Sequence, residues 1–223
     1  MRNAPNETCN PICRANVGEF EQCPAELRAI PNWVTWNYEP TDSVLVEPKK
    51  ILYTPGTHYR AQSNTPSTWR SFAEAVLDYQ HNARAGLGFV FEEKLGFVFI
   101  DLQEWRDPDT GEADNWAAKK MRLFNSYTEI SHTGIGAHII VRATKPKGDY
   151  EFLLPNGNEV GVYCHQHFSP ITGIYLDDLP RTIEPRQNEL YQFYAELLRF
   201  KAAELRFENM LNPPRPPFIL PMP

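Results

Sequence analysis

Two stretches of the sequence decide the fold: Gly96-Phe-Val-Phe-Ile-Asp-Leu-Gln103 and Ser131-His-Thr-Gly-Ile-Gly-Ala-His138-Ile-Ile-Val141. The first is apolar at every position from Phe97 to Ile100, which is typical of a central strand covered on both faces, and it delivers Asp101 near its end. The second is a glycine-rich turn that leads into a strand beginning at His138. A carboxylate and a histidine on two short strands, which we expect to be neighbours, indicate a nucleotide and metal site.

The bulk composition sets limits on what the chain does. Its 223 residues suffice for one substantial core or two small ones, and the formal net charge of -6 argues against a generally basic surface that coats nucleic acid. A local basic groove remains compatible with that charge, because fields are set by patches. We find no apolar run of about 18 residues that would span a bilayer and no hydrophobic signal region. We therefore expect a soluble, intracellular protein with no membrane partner.

Hydrophobic periodicity, read outward from these stretches, predicts a mixture of strands and helices. The predicted strands are 33–38, 50–53, 87–91, 95–102, 127–130, 137–142, 159–163 and 168–172. The predicted helices are 25–30, one entered at 65–69 that carries the apolar stripe 72–79, 115–125 and 186–210. Strands 87–91 and 95–102 are expected to form a hairpin through the charged turn 92–94. The mixture favours an α+β fold with a mainly antiparallel sheet flanked by helices.

The chain divides into four predicted parts. Residues 1–22 are a flexible leader, 23–185 a globular domain, 186–211 a C-terminal helix and 212–223 a proline-rich tail. Three cysteines, Cys9, Cys13 and Cys23, lie at the start of the chain. A zinc knuckle is conceivable there, but the paired spacing of a good zinc site is missing, so we favour reduced thiols.

Asp101 and the glycine-rich turn that leads to His138 each have a functional and a structural interpretation. Asp101 is either a ligand for a hard cation such as Mg²⁺ or a residue that caps a turn. Gly134 and Gly136 either let backbone amides approach an anion, with His138 contacting a phosphate, or belong to an ordinary hairpin that carries a core histidine. The residues alone leave both questions open.

The run Cys164-His-Gln-His167 raises a second possibility of metal binding. On an extended segment, His165 and His167 point to the same face. Three candidate ligands within four residues, with no suitable distant partner, make a poor tetrahedral zinc set. We therefore favour polar positions on an edge strand or loop.

In combination, the motifs resemble those of a known family, the N-terminal domain of bifunctional DNA primase–polymerases, which are archaeo-eukaryotic-type primases of phages, plasmids and mobile elements. The likeness runs from about Pro24 to Leu190 and depends on nine motifs in order. These are Pro31-Asn-Trp-Val-Thr-Trp36, Lys50-Ile-Leu-Tyr-Thr-Pro-Gly56, the segment 66–75, Gly86-Leu-Gly-Phe-Val-Phe91, Phe99-Ile-Asp-Leu102, Asp107-Pro-Asp-Thr-Gly111, Asn125-Ser-Tyr-Thr-Glu-Ile-Ser131, the segment 134–138 and Ile171-Thr-Gly173.

The resemblance implies a core derived from the RNA-recognition fold, with a nucleotide site on its sheet and nucleotide transfer assisted by two ions of Mg²⁺ or Mn²⁺. Asp101 matches the first metal carboxylate, His138 the nucleotide histidine and Ser131 its partner hydroxyl. Gln103 and Gly161 stand where the family has its other two acids, so the resemblance implies a degraded metal site.

Two glutamates are candidates to replace the missing acids. Glu159 lies two residues before Gly161 and hence on the same strand face. Glu104 should point to the other face from Gln103 unless a bulge realigns it.

Three functions follow as expectations. The first is a primase–polymerase-like domain that binds a nucleoside triphosphate and single-stranded or primer–template DNA. The second is an active nucleotidyltransferase with shifted ligands, and the third is a protein-interaction module, with a replicative helicase as a partner in trans. The DNA-facing candidates are Lys49, Lys50, Arg60 and Arg70, with Trp69 as a stacking surface; a solvated charged face is the alternative for these cations.

Overall fold

The computed structural model describes residues 15–39, 49–107 and 109–211, with side chains described as far as residue 207 in the last helix. Cys9, Cys13, the leader before residue 15 and the proline-rich tail lie outside the described residues. The helices are α1 Val17–Phe20, α2 Ala25–Arg28, α3 Phe72–His81, α4 Asn115–Phe124 and α5 Gln187–Leu211, with 3₁₀ turns at Pro66–Thr68 and Glu93–Leu95. The strands are β1 Trp33–Tyr38, β2 Lys50–Tyr53, β3 Gly86–Phe91, β4 Phe97–Leu102, β5 Thr128–Ile130, β6 Ala137–Arg142, β7 Glu151–Leu153, β8 Glu159–Tyr163 and β9 His167–Ile171.

The strands form two sheets, with strand orders β2-β1-β3-β9 and β5-β6-β4-β8-β7. The paired strands of both sheets run antiparallel. The predicted α+β class is therefore confirmed, although two antiparallel sheets take the place of the single mixed sheet we expected. Strand β4 lies between β6 and β8, which confirms that the apolar run from Phe97 to Ile100 is a central strand.

The predicted hairpin of β3 and β4 is wrong. Strand β3 pairs with β1 and β9, whereas β4 pairs with β6 and β8, and the turn Glu93–Leu95 carries the chain from one sheet to the other. The two strands instead face each other from different sheets. The ring centroids of Phe91 and Phe99 lie 5.3 Å apart across the core. A tight turn between two apolar strands does not reveal whether they pair edge to edge or stack.

Two hydrophobic cores hold the layers together. The first lies between the sheets and includes Phe89, Phe99 and Tyr127, all fully buried or nearly so. The second lies on the other face of the five-stranded sheet, where Phe193 and Leu197 of α5 are fully buried against it. Burial of each such side chain contributes about 1.5–3 kcal/mol, so the first half of the predicted C-terminal helix belongs to the domain.

The flexible-leader prediction is wrong for residues 15–22. Asn16 and Glu19 form a reciprocal capping box at the start of α1, which satisfies free amides of that short helix. Phe20 is buried in the core between the sheets, and the Tyr79 hydroxyl donates to the carbonyl of Ala15 at 2.7 Å. The burial of the Phe20 side chain thus orders a segment that is otherwise largely polar. Cys23 is also buried here as a free thiol.

In the described part of the chain, no helix combines the length and apolar character needed to cross a membrane.

Candidate nucleotide site

The strand register places five residues in one row across the five-stranded sheet. The cross-strand partners along this row are Glu129, His138, Asp101, Gly161 and Glu151, on β5, β6, β4, β8 and β7 in that order. Side chains two positions apart on a strand share a face, so this row lies on the same face as Phe99, which packs into the core between the sheets. The predicted neighbourhood of Asp101 and His138 is therefore confirmed.

A buried glutamate orients His138. The histidine ring is buried, with Nδ1 at 3.0 Å from Glu129 Oε1 and Nε2 at 3.8 Å from Asp101 Oδ1. Glu129 is fully buried and also accepts hydrogen bonds from the Thr172 and Gly173 amides, at 3.0 and 2.9 Å, and from the Tyr127 hydroxyl at 2.8 Å. Because a carboxylate only accepts, Nδ1 carries a proton and Nε2 faces Asp101. Glu129 lies within the motif 125–131 but was not among the predicted site residues.

The Asp101 carboxyl sits in a setting that disfavours its charge. Burial raises its pKa, and the positive charges of His138 and Lys50 act in the opposite direction. About a quarter of the side chain, 24%, is exposed, and this part faces a small cavity. A carboxyl group in such a place is expected to meet a cationic partner or a ligand.

The cavity in front of Asp101 has a volume of about 200 Å³, and eight of its nine lining residues are polar or charged. It is lined by Lys50, Asp101, Gln103, Glu104, Ser131, His132, Thr133, Ile135 and His138. Lys50 comes from the four-stranded sheet, and Asp101 and His138 come from the five-stranded sheet. The cavity therefore lies where the two sheets meet.

Glu104 reaches this cavity through an unusual backbone conformation. Its φ of +52° lies in the left-handed region, which few residues other than glycine adopt. The change of direction directly after β4 brings Glu104 to the same cavity as Asp101. Glu104 was expected to point to the other face from Gln103 unless a bulge realigned it, and a residue in the left-handed conformation takes the place of such a bulge.

The glycine-rich turn uses its polar groups internally. Gly136 donates its amide to Ser131 Oγ at 3.0 Å, Gly134 donates its amide to the Ser131 carbonyl at 2.9 Å, and the Ser131 hydroxyl also bonds Thr133 Oγ1. A Cβ at Gly136 would lie 2.8 Å from the Leu102 carbonyl, so glycine is required for the turn to approach β4. The prediction that the amides of Gly134 and Gly136 point at an anion is corrected, because the turn itself occupies them.

His132, within the same turn, was missed by the sequence analysis. Its ring stands edge-on to Trp36 at 5.3 Å, and its Nδ1 is buried with no hydrogen-bond partner among the described residues. Burial, together with the positive charges of Lys50 and His138, lowers its pKa to about 3. His132 is thus a neutral imidazole at the cavity wall.

Tyr163 fills the space beside Gly161. A Cβ at Gly161 would lie 2.2 Å from the Tyr163 ring, and that ring is fixed by a stack on His167 at 3.5 Å and a hydrogen bond to Glu151 at 2.9 Å. Gly161 is nevertheless the cross-strand partner of Asp101. A carboxylate at this position would face Asp101, and an aromatic ring covers the position instead.

The described residues do not offer the donor set of a two-cation site. Glu159 is exposed and lines a neighbouring cavity with Gln103 and Glu151, whereas Asp101 lines the cavity described above; Gln103 lines both. No group of three or more histidine, cysteine, aspartate or glutamate side chains that could hold a metal occurs in the described ranges. The same finding applies to the run Cys164-His-Gln-His167, where the His167 ring stacks on Tyr163. Divalent cations prefer several carboxylate oxygens, so the residues present do not fit the pair of metal ions that the resemblance implies.

The predicted DNA-facing residues have mixed environments. Lys49 and Lys50 are exposed, and Arg60 is exposed but paired with Glu39 at 3.1 Å. The Arg70 guanidinium donates to two nearby carbonyl groups, those of Ser67 and Trp69.

The stacking surface predicted at Trp69 is corrected by the structure. Trp69 is only 5% exposed, and its indole N–H donates to the Gln62 carbonyl at 2.8 Å. It packs with Val34, Ala61 and Val90 in a small apolar cluster. Tyr59, next to Arg60, is 79% exposed and offers the open aromatic face that Trp69 does not.

No family model matches the sequence. The chain is 30% identical over 180 residues to the DNA primase–polymerase of Nitratiruptor phage NrS-1, an alignment that covers 79% of this chain and 24% of the phage protein. The chain thus spans about a quarter of the length of this relative. Over most of its length, the chain is thus similar to one part of a DNA primase–polymerase.

Proposed function

We propose that the chain is a nucleotide- and DNA-binding domain of a replication or mobile-element protein, with a metal site reduced to Asp101. The observation that carries the proposal is the oriented Glu129–His138 pair, which holds the His138 Nε2 at 3.8 Å from Asp101, beside a polar cavity. The similarity to a phage DNA primase–polymerase supports it.

The cavity is large enough for the phosphates of a nucleotide but small for a complete nucleotide. Pockets that enclose drug-sized ligands start at about 300 Å³, and this one measures about 200 Å³. Its lining includes Lys50, the His138 imidazole and the Thr133 hydroxyl, which are side chains that bind phosphate oxygens. The base and sugar would lie outside, towards the solvent.

Binding of a nucleoside triphosphate tests the proposal. We expect the full chain to bind ATP in calorimetric titrations and His138→Asn to bind about 10- to 150-fold more weakly, because removal of a charge-assisted hydrogen bond is worth about 1.5–3 kcal/mol. His58→Asn, an exposed histidine outside the cavity, is the matched control. Absence of binding by the unmodified chain, or equal binding by the two variants, would reject the proposal.

A second candidate is an active nucleotidyltransferase with shifted ligands. It is favoured by Glu104, which shares the cavity with Asp101. Incorporation of labelled nucleotide on a primed template with Mg²⁺ or Mn²⁺, lost in Glu104→Gln, would establish it, and no incorporation with either ion would exclude it. A helicase partner in trans stays a prediction without support from the described residues.

A further inference from the structure

Lys50 is one of the side chains that line the cavity in front of Asp101. It opens β2 and reaches the cavity from the opposite sheet to Asp101. Its Nζ lies 5.9 Å from the centre of the Trp36 ring, and the His132 ring flanks the same tryptophan at 5.3 Å. The side chain is therefore placed along a wall that Trp36 and His132 form.

The charges around the cavity differ from those of a site built for divalent cations. In a two-cation site, several carboxylates are neutralised by metal ions. Here the positions of two carboxylates hold the neutral residues Gln103 and Gly161, and the Glu129 carboxylate is already bonded to four donors. Asp101 remains at the cavity, where burial raises its pKa and the positive charges of His138 and Lys50 oppose that rise.

The field of Lys50 reaches the nearby histidines as well. It contributes to the lowered pKa of His132, about 3, and of His167, about 4, although burial is the largest cause for both. Those imidazoles stay neutral near pH 7. Among the described residues, Lys50 is the lysine that lines the cavity, and no arginine lines it.

We propose that the Lys50 ammonium takes the place of a divalent cation, so that this cavity binds the phosphates of a nucleotide without Mg²⁺ or Mn²⁺. An ammonium group is a compact point charge with three donors and a common partner of phosphate. With Asp101 on one side, Lys50 supplies one positive charge where two divalent ions would supply four. A site of this kind retains nucleotide affinity but lacks the metal chemistry of phosphoryl transfer.

The role of Lys50 rests on the proposed nucleotide binding. Calorimetry can test the role of Lys50 separately from nucleotide binding. The full chain is titrated with ATP, and with inorganic tripolyphosphate to remove any contribution of the base, at constant ionic strength in EDTA and in Mg²⁺. We expect the affinity in EDTA to be equal to or higher than that in Mg²⁺. Lys50→Gln is expected to weaken binding about tenfold or more in both buffers, since it removes a charged hydrogen-bond donor.

Two variants serve as controls. The outcome that would overturn the role of Lys50 differs from the outcome that would overturn nucleotide binding. Lys119→Gln removes the same charge from an exposed position on α4 that does not line the cavity, and it should leave the affinity unchanged, whereas Lys50→Arg should retain most of it. Binding that is tenfold tighter in Mg²⁺ than in EDTA, or unaffected by Lys50→Gln, would overturn the role of Lys50 and leave nucleotide binding intact. No binding in either buffer would overturn both proposals.

Discussion

At the scale of single residues, the orientation of His138 depends on one buried carboxylate. Glu129 lies beside it in the sheet and uses both oxygens, with Oε1 accepting from His138 and the Thr172 amide, and Oε2 from Tyr127 and the Gly173 amide. A buried carboxylate is tolerated only when its oxygens are hydrogen-bonded in this way. The arrangement fixes which nitrogen of His138 faces Asp101.

Replacement of Glu129 by glutamine tests this arrangement. An amide offers one accepting oxygen, and its NH₂ group would face two donors, whichever way it turned. We expect Glu129→Gln to lower the free energy of unfolding in urea by about 1–3 kcal/mol. Glu151→Gln is the matched control, because its amide oxygen can still accept from Tyr163 at the exposed end of the same row. An equal loss in both variants would contradict the assignment.

The sequence revealed the chemistry of this site only in part. Asp101 and His138 stood out because each lies at a fixed place beside an apolar run. The role of Glu129 depends on amides 43 and 44 residues further along the chain, and no local pattern contains that information. The internal use of the Ser131 hydroxyl likewise depends on how the turn closes.

At the scale of elements, β2 is an edge strand that begins at the basic residue Lys50. It occupies one end of the four-stranded sheet, and the segment that follows returns to it, with the Ala61 amide donating to the Leu52 carbonyl at 2.9 Å. This return presents Tyr59 to the solvent beside Arg60. An exposed aromatic ring next to cations is the arrangement with which proteins stack and hold single-stranded nucleic acid.

We therefore expect Tyr59→Ala to weaken binding of single-stranded DNA. A stacked base is worth about 1–3 kcal/mol, which corresponds to about a 5- to 150-fold loss of affinity in a fluorescence anisotropy titration at low salt. Tyr191→Ala removes a tyrosine that is 53% exposed on α5, on a different element, and should have no effect. If both variants bound equally well, β2 would not be the DNA-facing edge.

Elements with long, regular patterns were predicted well. The apolar residues of α5 recur at helical spacing, and those of β4 form an unbroken run. These local patterns predict both the type of element and the residues that it buries. The partnership of β3 and β4 could not be read in this way, because their assignment to different sheets is decided by β1, β6, β8 and β9. Strand β7, Glu151–Leu153, was not predicted.

At the scale of the whole molecule, the junction of the two sheets holds histidines that are kept neutral. His167 is stacked between the layers on Tyr163, and burial is the main cause that lowers its pKa to about 4, with His132 at about 3. In the unfolded chain, both would titrate near the ordinary value of 6.5. The unfolded state therefore binds more protons than the folded state below that pH.

The sign of the pH dependence follows from this difference. The two histidines contribute full stability above pH 6.5, and that contribution falls as the pH drops towards 4, because protons then favour the unfolded chain. We expect the free energy of unfolding in urea to decline between pH 7 and pH 5. His167→Phe keeps an aromatic ring on Tyr163 but cannot take up a proton, so it should flatten the decline. An unchanged slope in this variant would show that His167 does not contribute.

The hydrogen bonds that Glu129 receives from Thr172 and Gly173 also set an order of events during synthesis. These two residues follow β9, the strand that completes the four-stranded sheet, and they leave the ribosome well after Asp101 and His138. Until they arrive, the Glu129 carboxylate lacks two of its four donors. We expect a nascent chain arrested before residue 172 to carry the motif residues without the complete hydrogen-bond arrangement around Glu129, so that ligand affinity would rise when the two layers close.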